Sequence, residues 1–324
     1  MSDAAIITEP FPMRVHRIAW EADGVISIEL RRPDGNDLPA FAPGAHIDLH
    51  LPNGITRSYS LCGDPEDRRC YVVGVGLDPA SRGGSLYIHN QLRVGQVIKI
   101  SSLRNHFPLV EDAVRVVFIA GGIGITPLYC MMRRLSRLGH GFELHYAMRN
   151  RQRAAFLAEL QALGQPVHVH CDEEHGGKPI DVAAIIAAQP AGTHFYCCGP
   201  SGMLAAYEKA TASLPEQFVH VEYFSPKQIE TAGADAHFTV VLGRSGRELN
   251  VPADRSLLDV LTSNGVKIDS SCQDGICGTC EVRVLEGVPD HRDSVLTKAE
   301  QAANKSMMVC VSRCKGERLV LDLA

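Results

Sequence analysis

Three cysteines near the end of the chain, Cys272, Cys277 and Cys280, stand at C-x4-C-x2-C in Ser270-Ser-Cys-Gln-Asp-Gly-Ile-Cys-Gly-Thr-Cys280. A fourth thiol, Cys310 in Met307-Met-Val-Cys-Val, follows about thirty residues on, the arrangement in which four thiolates hold the two irons of a [2Fe–2S] cluster. Gly275 and Gly278 suit such a loop, which must turn sharply and aim backbone N–H groups at sulfur. A zinc site would pair C-x2-C with a second such pair or with two histidines, and none follows. A disulfide framework suits short secreted chains better than this one. Free core cysteines would explain single thiols but not the spacing. An iron–sulfur centre moves one electron at a time, so the rest of the chain is expected to supply that electron.

The chain has 324 residues, enough for two or three domains. Hydrophobic content of 45% and charged content of 21% are those of a soluble globular protein. A balance of 32 basic against 37 acidic residues, net −5, argues against a nucleic-acid partner held by phosphate contacts. Seven further cysteines (Cys62, Cys70, Cys130, Cys171, Cys197, Cys198 and Cys314) show no pairing pattern, which predicts a reducing, cytoplasmic setting. The first residues lack the basic start and apolar core of a signal peptide. The long apolar run at 114–132 contains Gly121, Gly122, Gly124 and Pro127, and reads as strand, turn and helix rather than a membrane span.

Residues 13–109 read as β structure. Short runs such as Val25-Ile-Ser-Ile-Glu-Leu30, His46-Ile-Asp-Leu-His-Leu51 and Cys70-Tyr-Val-Val-Gly-Val75 alternate with turns at Pro33-Asp-Gly-Asn36 and Pro52-Asn-Gly54, the rhythm of a barrel or sandwich. Ser81-Arg-Gly-Gly-Ser85 sets an arginine beside two glycines and a hydroxyl, which can form a phosphate nest or a plain turn. At Val114-Arg-Val-Val-Phe-Ile-Ala120 an apolar strand runs into Gly121-Gly-Ile-Gly-Ile-Thr-Pro127 and a helix to about Leu138, a way of offering a helix N-terminus to phosphate. Strands at 142–148, 167–171 and 194–198 alternate with helices at 154–163, 182–188 and from Gly199-Pro-Ser-Gly-Met203 to Ser213, giving a parallel, helix-covered sheet. The glycines are not the G-x-G-x-x-G fingerprint, and the second strand ends in Met148-Arg149 instead of an acidic residue. Residues 226–236 read as a linker. The segment 237–324 reads as a small domain with a hairpin (238–242, 248–251), a helix (256–263), the cysteine loop, and strands at 281–285 and 318–323.

Together, Arg57-Ser-Tyr-Ser-Leu61, Arg82-Gly-Gly-Ser85, the glycine turn at 121–127, Cys198-Gly-Pro200 and the cysteine set, in this order, resemble the phthalate dioxygenase reductase family over nearly the whole chain. The resemblance implies three domains. An antiparallel β-barrel binding FMN spans 1–110, and an α/β parallel-sheet domain binding NADH spans 111–226. After a linker at 227–236, an α+β β-grasp domain of the plant-type ferredoxin kind spans 237–324. It also implies roles for residues. Tyr59 would pack on the flavin ring and Ser60 would sit near N5, in the strand with Ser58. Arg57, Arg82, Gly83, Gly84 and Ser85 would hold the phosphate. Val73, Gly74 and Val75 would run along the ring edge. Gly122, Ile123, Gly124 and Thr126 would cradle the dinucleotide, with Cys198, Gly199 and Pro200 near the nicotinamide and Phe224 over the flavin face. Ser60, Thr126, Cys198 and Phe224 are thus the candidate catalytic residues, and Cys272, Cys277, Cys280 and Cys310 the cluster ligands.

The implied activity is transfer of electrons from NADH through FMN and a [2Fe–2S] cluster to a separate Rieske-type oxygenase, by a monomer whose acceptor surface lies at 273–279. Flavin is the converter this chemistry needs, since it takes a hydride and can release electrons singly. No proton-abstracting residue is required. Cys314 is the competing fourth ligand, but the segment around Cys310 matches the family's closing ligand. Arg149, Arg151 and Arg153 keep NADPH open as coenzyme. An FAD enzyme, and a redox-sensing carrier without turnover, are the alternatives. The fourteen histidines show no metal-ligand spacing.

Overall fold

The computed structural model describes residues 10–226 and 236–324. The expected linker falls almost wholly outside them. The chain forms two compact units, Met1–Phe224 and Ser225–Ala324.

The first unit holds two sheets. Its N-terminal strands are β1 (Phe11–Ala22), β2 (Val25–Arg31), β3 (His46–His50), β4 (Thr56–Ser60), β5 (Tyr71–Gly76) and, after helix α1 (Gly84–Asn90), β6 (Val97–Arg104). They pair antiparallel in the order β4-β3-β6-β1-β2-β5. A bridge between Leu61 and Val73 joins the two edge strands and closes a barrel. Alternate residues point inward, so Met13, Ile28, Leu30, Ile47, Leu49, Val73 and Val75 fill its core. The segment 81–85, expected as a phosphate nest or a plain turn, also opens α1, a short helix with no periodicity long enough to announce it.

The second sheet comprises β7 (Val116–Gly121), β8 (Glu143–Met148), β9 (Val167–Cys171), β10 (His194–Cys198) and β11 (Val219–Glu222), all parallel, in the order β11-β10-β7-β8-β9. Helices α2 (Ile125–Leu138), α3 (Leu157–Ala162), α4 (Val182–Ala187) and α5 (Ser201–Thr211) connect them. Every residue of β7 is buried, as a central strand covered on both faces requires. The chain winds from β7 outward to β9, then returns to β10 on the other side. The crevice between β7 and β10 is therefore the switch point where such sheets take nucleotides.

The second unit is a mixed sheet of β12 (Phe238–Leu242), β13 (Glu248–Val251), β14 (Glu281–Glu286), β16 (Ser306–Met308) and β18 (Arg318–Leu321), ordered β13-β12-β18-β14-β16. Helix α6 (Leu257–Ser263) packs on it through Leu257 and Leu261, and Ser256 caps it by accepting from the Asp259 N–H at 3.0 Å. A two-stranded ribbon of β15 (Pro289–Asp290) and β17 (Arg313–Cys314) and the helix α7 (Lys298–Ala303) complete it. The central pair β12 and β18 is parallel and flanked by antiparallel neighbours, the β-grasp arrangement expected.

Candidate functional site

In the first unit the barrel meets the C-terminal ends of the parallel strands, and the glycine positions show how closely. A Cβ on Gly74 of β5 would stand 2.5 Å from Thr126 Cγ2. Thr126 is 1% exposed, and its hydroxyl donates to the Ile123 carbonyl at 3.0 Å. A Cβ on Gly124 would fall 2.2 Å from the Cys198 carbonyl oxygen, so the turn after β7 touches the end of β10 backbone to backbone. Gly121 packs on Pro200 in the same place. Gly122, Ile123 and Gly124 form a single 3-10 turn leading into α2, and the Tyr146 hydroxyl donates to the Gly122 carbonyl at 3.2 Å. The two sequence-predicted glycine segments, 121–126 and 198–200, are thus one site.

A carboxyl group that the sequence reading did not single out stands at this seam. Ser60, the last residue of β4, donates its hydroxyl hydrogen to Glu222 Oε2 at 3.2 Å. Glu222 ends β11 and is the register partner of Cys198 on β10. Burial pushes the Glu222 carboxyl up to about 8, and the hydrogen bond from Ser60 only partly offsets this. Cys198 is fully buried, and desolvation together with the nearby Glu222 holds its thiol well above the ordinary range. It is a neutral group at this seam, not a thiolate. Glu222 sits in Val221-Glu-Tyr-Phe224, and a lone glutamate on a strand has no signature; only the packing of barrel on sheet brings it to Ser60.

The other predicted positions divide. Arg57 lies across Gly84, where a Cβ would be 2.7 Å from its Cγ. Gly83 adopts φ +97°, and its carbonyl accepts from Asn53 Nδ2 at 3.2 Å. Ser85 accepts from the Asp78 N–H at 3.2 Å. Arg57 therefore meets the loop that runs from Arg82 to Ser85. Tyr59 packs partly buried against the barrel core. Ser58 points to the other face of β4 and donates to Asp48 at 2.6 Å, a buried carboxylate also paired with Arg104 at 2.8 Å. Val73 and Val75 have their side chains in the barrel core. On β5, only Gly74 and the strand backbone face outward at that point. Phe224 follows β11 and is 36% exposed.

In the second unit the four cysteines are buried and fall into two sulfur pairs. Cys272 is hydrogen-bonded to Cys277, and Cys280 to Cys310. Within each pair the neighbour's S–H lowers one thiol, Cys277 or Cys280, and raises its partner. Two pairs rather than one tetrad is the donor set that two irons need. Backbone shape supports it. Gln273 and Gly275 both have positive φ, and a side chain at Gly275 would strike Val311 Cγ2 at 2.6 Å. The Asp274 N–H donates to Cys272 Sγ at 3.3 Å, and Cys277 Sγ lies 3.1 Å from the Thr279 hydroxyl. Pairing of β14 with β16 matches Glu281 to Met308 and so carries Cys310 to Cys280. Cys314 is engaged elsewhere: its thiol donates to the Arg318 carbonyl at 3.5 Å and accepts from the Gly316 N–H at 3.3 Å.

Comparison with known proteins agrees with this division. Residues 118–209 match the oxidoreductase NAD-binding domain, and residues 240–315 match the 2Fe-2S iron-sulfur cluster binding domain. The fold and its two matched domains define an oxidoreductase that joins a flavin-type barrel and an NAD-binding sheet to a plant-type [2Fe–2S] module. Phenoxybenzoate dioxygenase subunit beta of Ectopseudomonas oleovorans is 50% identical over 320 residues, covering 99% of each chain. The solved structure of phthalate dioxygenase reductase is 37% identical with a TM-score of 0.71, covering 97% of this chain and 98% of that one. An intact type IV self-sufficient cytochrome P450 monooxygenase is 43% identical with a TM-score of 0.89; the match covers 97% of this chain but only 41% of that much longer one. The chain belongs to the phthalate dioxygenase reductase family, the reductase components of oxygenase systems. Among the described residues no helix is long and apolar enough to cross a membrane.

Proposed function

We propose that this protein takes electrons from NADH and passes them through FMN and a [2Fe–2S] cluster to a separate Rieske-type oxygenase. The observation that carries this reading is the Ser60–Glu222 hydrogen bond, which ties the strand expected to face the flavin to the strand ends expected to receive nicotinamide. When bound, the flavin accepts a hydride and releases its electrons singly, which suits a one-electron cluster.

The chain's own residues then have defined tasks. Arg57, Arg82, Gly83, Gly84 and Ser85 hold the flavin phosphate, and Tyr59 packs on the ring with the strand 73–75 along its edge. Gly122, Ile123, Gly124 and Thr126 cradle the dinucleotide. Cys198, Gly199 and Pro200 border the nicotinamide as neutral, water-excluding walls, and Phe224 covers the ring face. Glu222 carries its proton at Oε below a pH of about 8. It thereby keeps net charge out of the seam. Cys272 and Cys277 hold one iron, and Cys280 and Cys310 the other. The domain boundaries proposed are 1–110, 111–226 and 237–324.

NADH is favoured by what surrounds the arginines that follow β8. Glu174 already binds Arg151 through Nε and Nη2, and Glu173 accepts from Asn150 Nδ2 at 3.4 Å. Together with Asp172 they set negative charge where a 2′-phosphate would arrive. The acceptor is assigned from relatives named as dioxygenase and demethylase components. Its docking surface is placed at 273–279, where Gln273 is exposed. A cytoplasmic monomer completes the reading. Acid release of the flavin with mass measurement, and steady-state cytochrome c reduction with each coenzyme, test it. FMN and a higher kcat/KM for NADH are expected. FAD, or a preference for NADPH, overturns the cofactor assignment; no coenzyme-dependent reduction overturns the reductase.

A further inference from the structure

The histidines have no metal-ligand spacing along the chain, yet pairing of β8 with β9 creates a convergent set of donors. Glu143 and His145 are two residues apart on β8 and share a face. His168 on β9 is the register partner of His145. Glu143 Oε1 lies 2.8 Å from His145 Nε2 and 3.4 Å from His168 Nε2. All three donor atoms fall within 4.8 Å of one another. The imidazoles stack with centroids 4.7 Å apart and planes at 21°, so both nitrogens face the same oxygen.

The carboxylate is held in that orientation from behind. Its other oxygen accepts from Arg115 Nη2 at 3.2 Å and from Gln189 Nε2 at 3.3 Å. Arg115 Nε in turn donates to Gln189 Oε1 at 2.8 Å. Such outer partners are what orient a ligating carboxylate. A groove of about 370 Å³, lined by His170, Asp181, Val169, Ile180, Ala184 and Ile185 besides these two histidines, opens beside the cluster. The His168 side chain is 55% exposed, so an ion has a way in.

We propose that Glu143, His145 and His168 form a site for a divalent transition metal of the zinc class, with water as the fourth ligand on the groove side. Two imidazoles and one carboxylate are a suitable donor set, and Zn–N and Zn–O lengths of about 2.0–2.2 Å put tetrahedral donors roughly 3.3 Å apart. The Glu143–His168 separation already meets this. The closer Glu143–His145 pair reaches it by a small rotation as its shared proton leaves. The ion would clamp β9, which ends the sheet, onto β8. Glu143 opens β8, at the opposite end of the strand from Met148 and the nucleotide crevice, so the expected effect is on stability and not on turnover.

Calorimetric titration of the tag-free holoenzyme with ZnCl2 in a non-chelating buffer, paired with thermal unfolding, tests this. One saturable site and a Tm that rises with zinc are expected, because a ligand bound only by the folded state stabilises it. His168→Ala should weaken binding at least tenfold and abolish the rise in Tm, with NADH-driven cytochrome c reduction unchanged. His145→Asn serves as a second variant. No saturable site in the unaltered protein, or undiminished zinc binding in both variants, overturns the proposal. Neither readout depends on the redox relay, so its failure and failure of the reductase reading are distinguishable.

Discussion

The cysteine loop and the barrel–sheet seam organise their chemistry in opposite ways. The loop holds three of the four proposed ligands in one short stretch, shaped by local left-handed turns at Gln273 and Gly275. A single strand pairing, β14 with β16, delivers the fourth. The seam instead draws on β4, β5, β7, β10 and β11, and its cross-strand contacts join residues more than fifty apart in sequence. A site built on one loop should fail completely when one ligand is lost. A site distributed over several strands should fail by degrees, according to how rigid the altered contact is.

The largest effect is expected at the loop. Cys310→Ser should abolish the cluster's visible absorption and electron delivery to the acceptor while NADH still bleaches the flavin; Cys314→Ser should leave the absorption in place. The reverse spectra would move the fourth ligand to Cys314. At the seam, Gly124→Ala is the severest single change, because its methyl meets backbone, the Cys198 carbonyl 2.2 Å away, and backbone has little room to yield. A displacement of about 1 Å in the nucleotide turn should lower kcat/KM for NADH by roughly 10²-fold with the cluster spectrum intact. Unchanged kinetics would show that the turn does not position the dinucleotide.

The smallest expected effect is at Glu222. Its carboxyl is raised in the folded state, so it is protonated at neutral pH and loses its proton as pH climbs through about 8. The charge then appears at the seam proposed to receive the nicotinamide, and flavin reduction by NADH should slow by a few-fold above that pH. Glu222→Gln cannot ionise. Stopped-flow rates for it should match the unaltered protein within about threefold at pH 7 and stay level at higher pH. The same proton linkage bears on folding: between the unfolded value of 4.5 and about 8 the native state holds the extra proton, so stability from this group is present below 4.5 and declines as pH rises to 8. An identical pH profile in both proteins would remove Glu222 from the seam's chemistry.

Much of the molecule was legible along the chain for identifiable reasons. Turn chemistry and two-residue alternation announced the barrel, and apolar strands alternating with helices announced the parallel sheet. Helix α1 was missed because seven residues inside a β region carry too little periodicity to register. The ring-edge assignment of 73–75 concealed an asymmetry: Val73 and Val75 are barrel core, and only Gly74 looks outward. Arg151 is one of the three arginines that keep NADPH open in the sequence, whereas the fold pairs it with Glu174.

Spacing of cysteines and placement of glycines announced the cluster loop and the turn after β7, because three of the four cysteines, and the glycines of the turn, lie within a few residues of one another. The Ser60–Glu222 contact and the Glu143–His145–His168 triad were decided in three dimensions. Ser60 and Glu222 stand in different sheets, and His168 reaches the β8 pair Glu143 and His145 from β9, so packing of barrel against sheet makes the first contact and strand register the second.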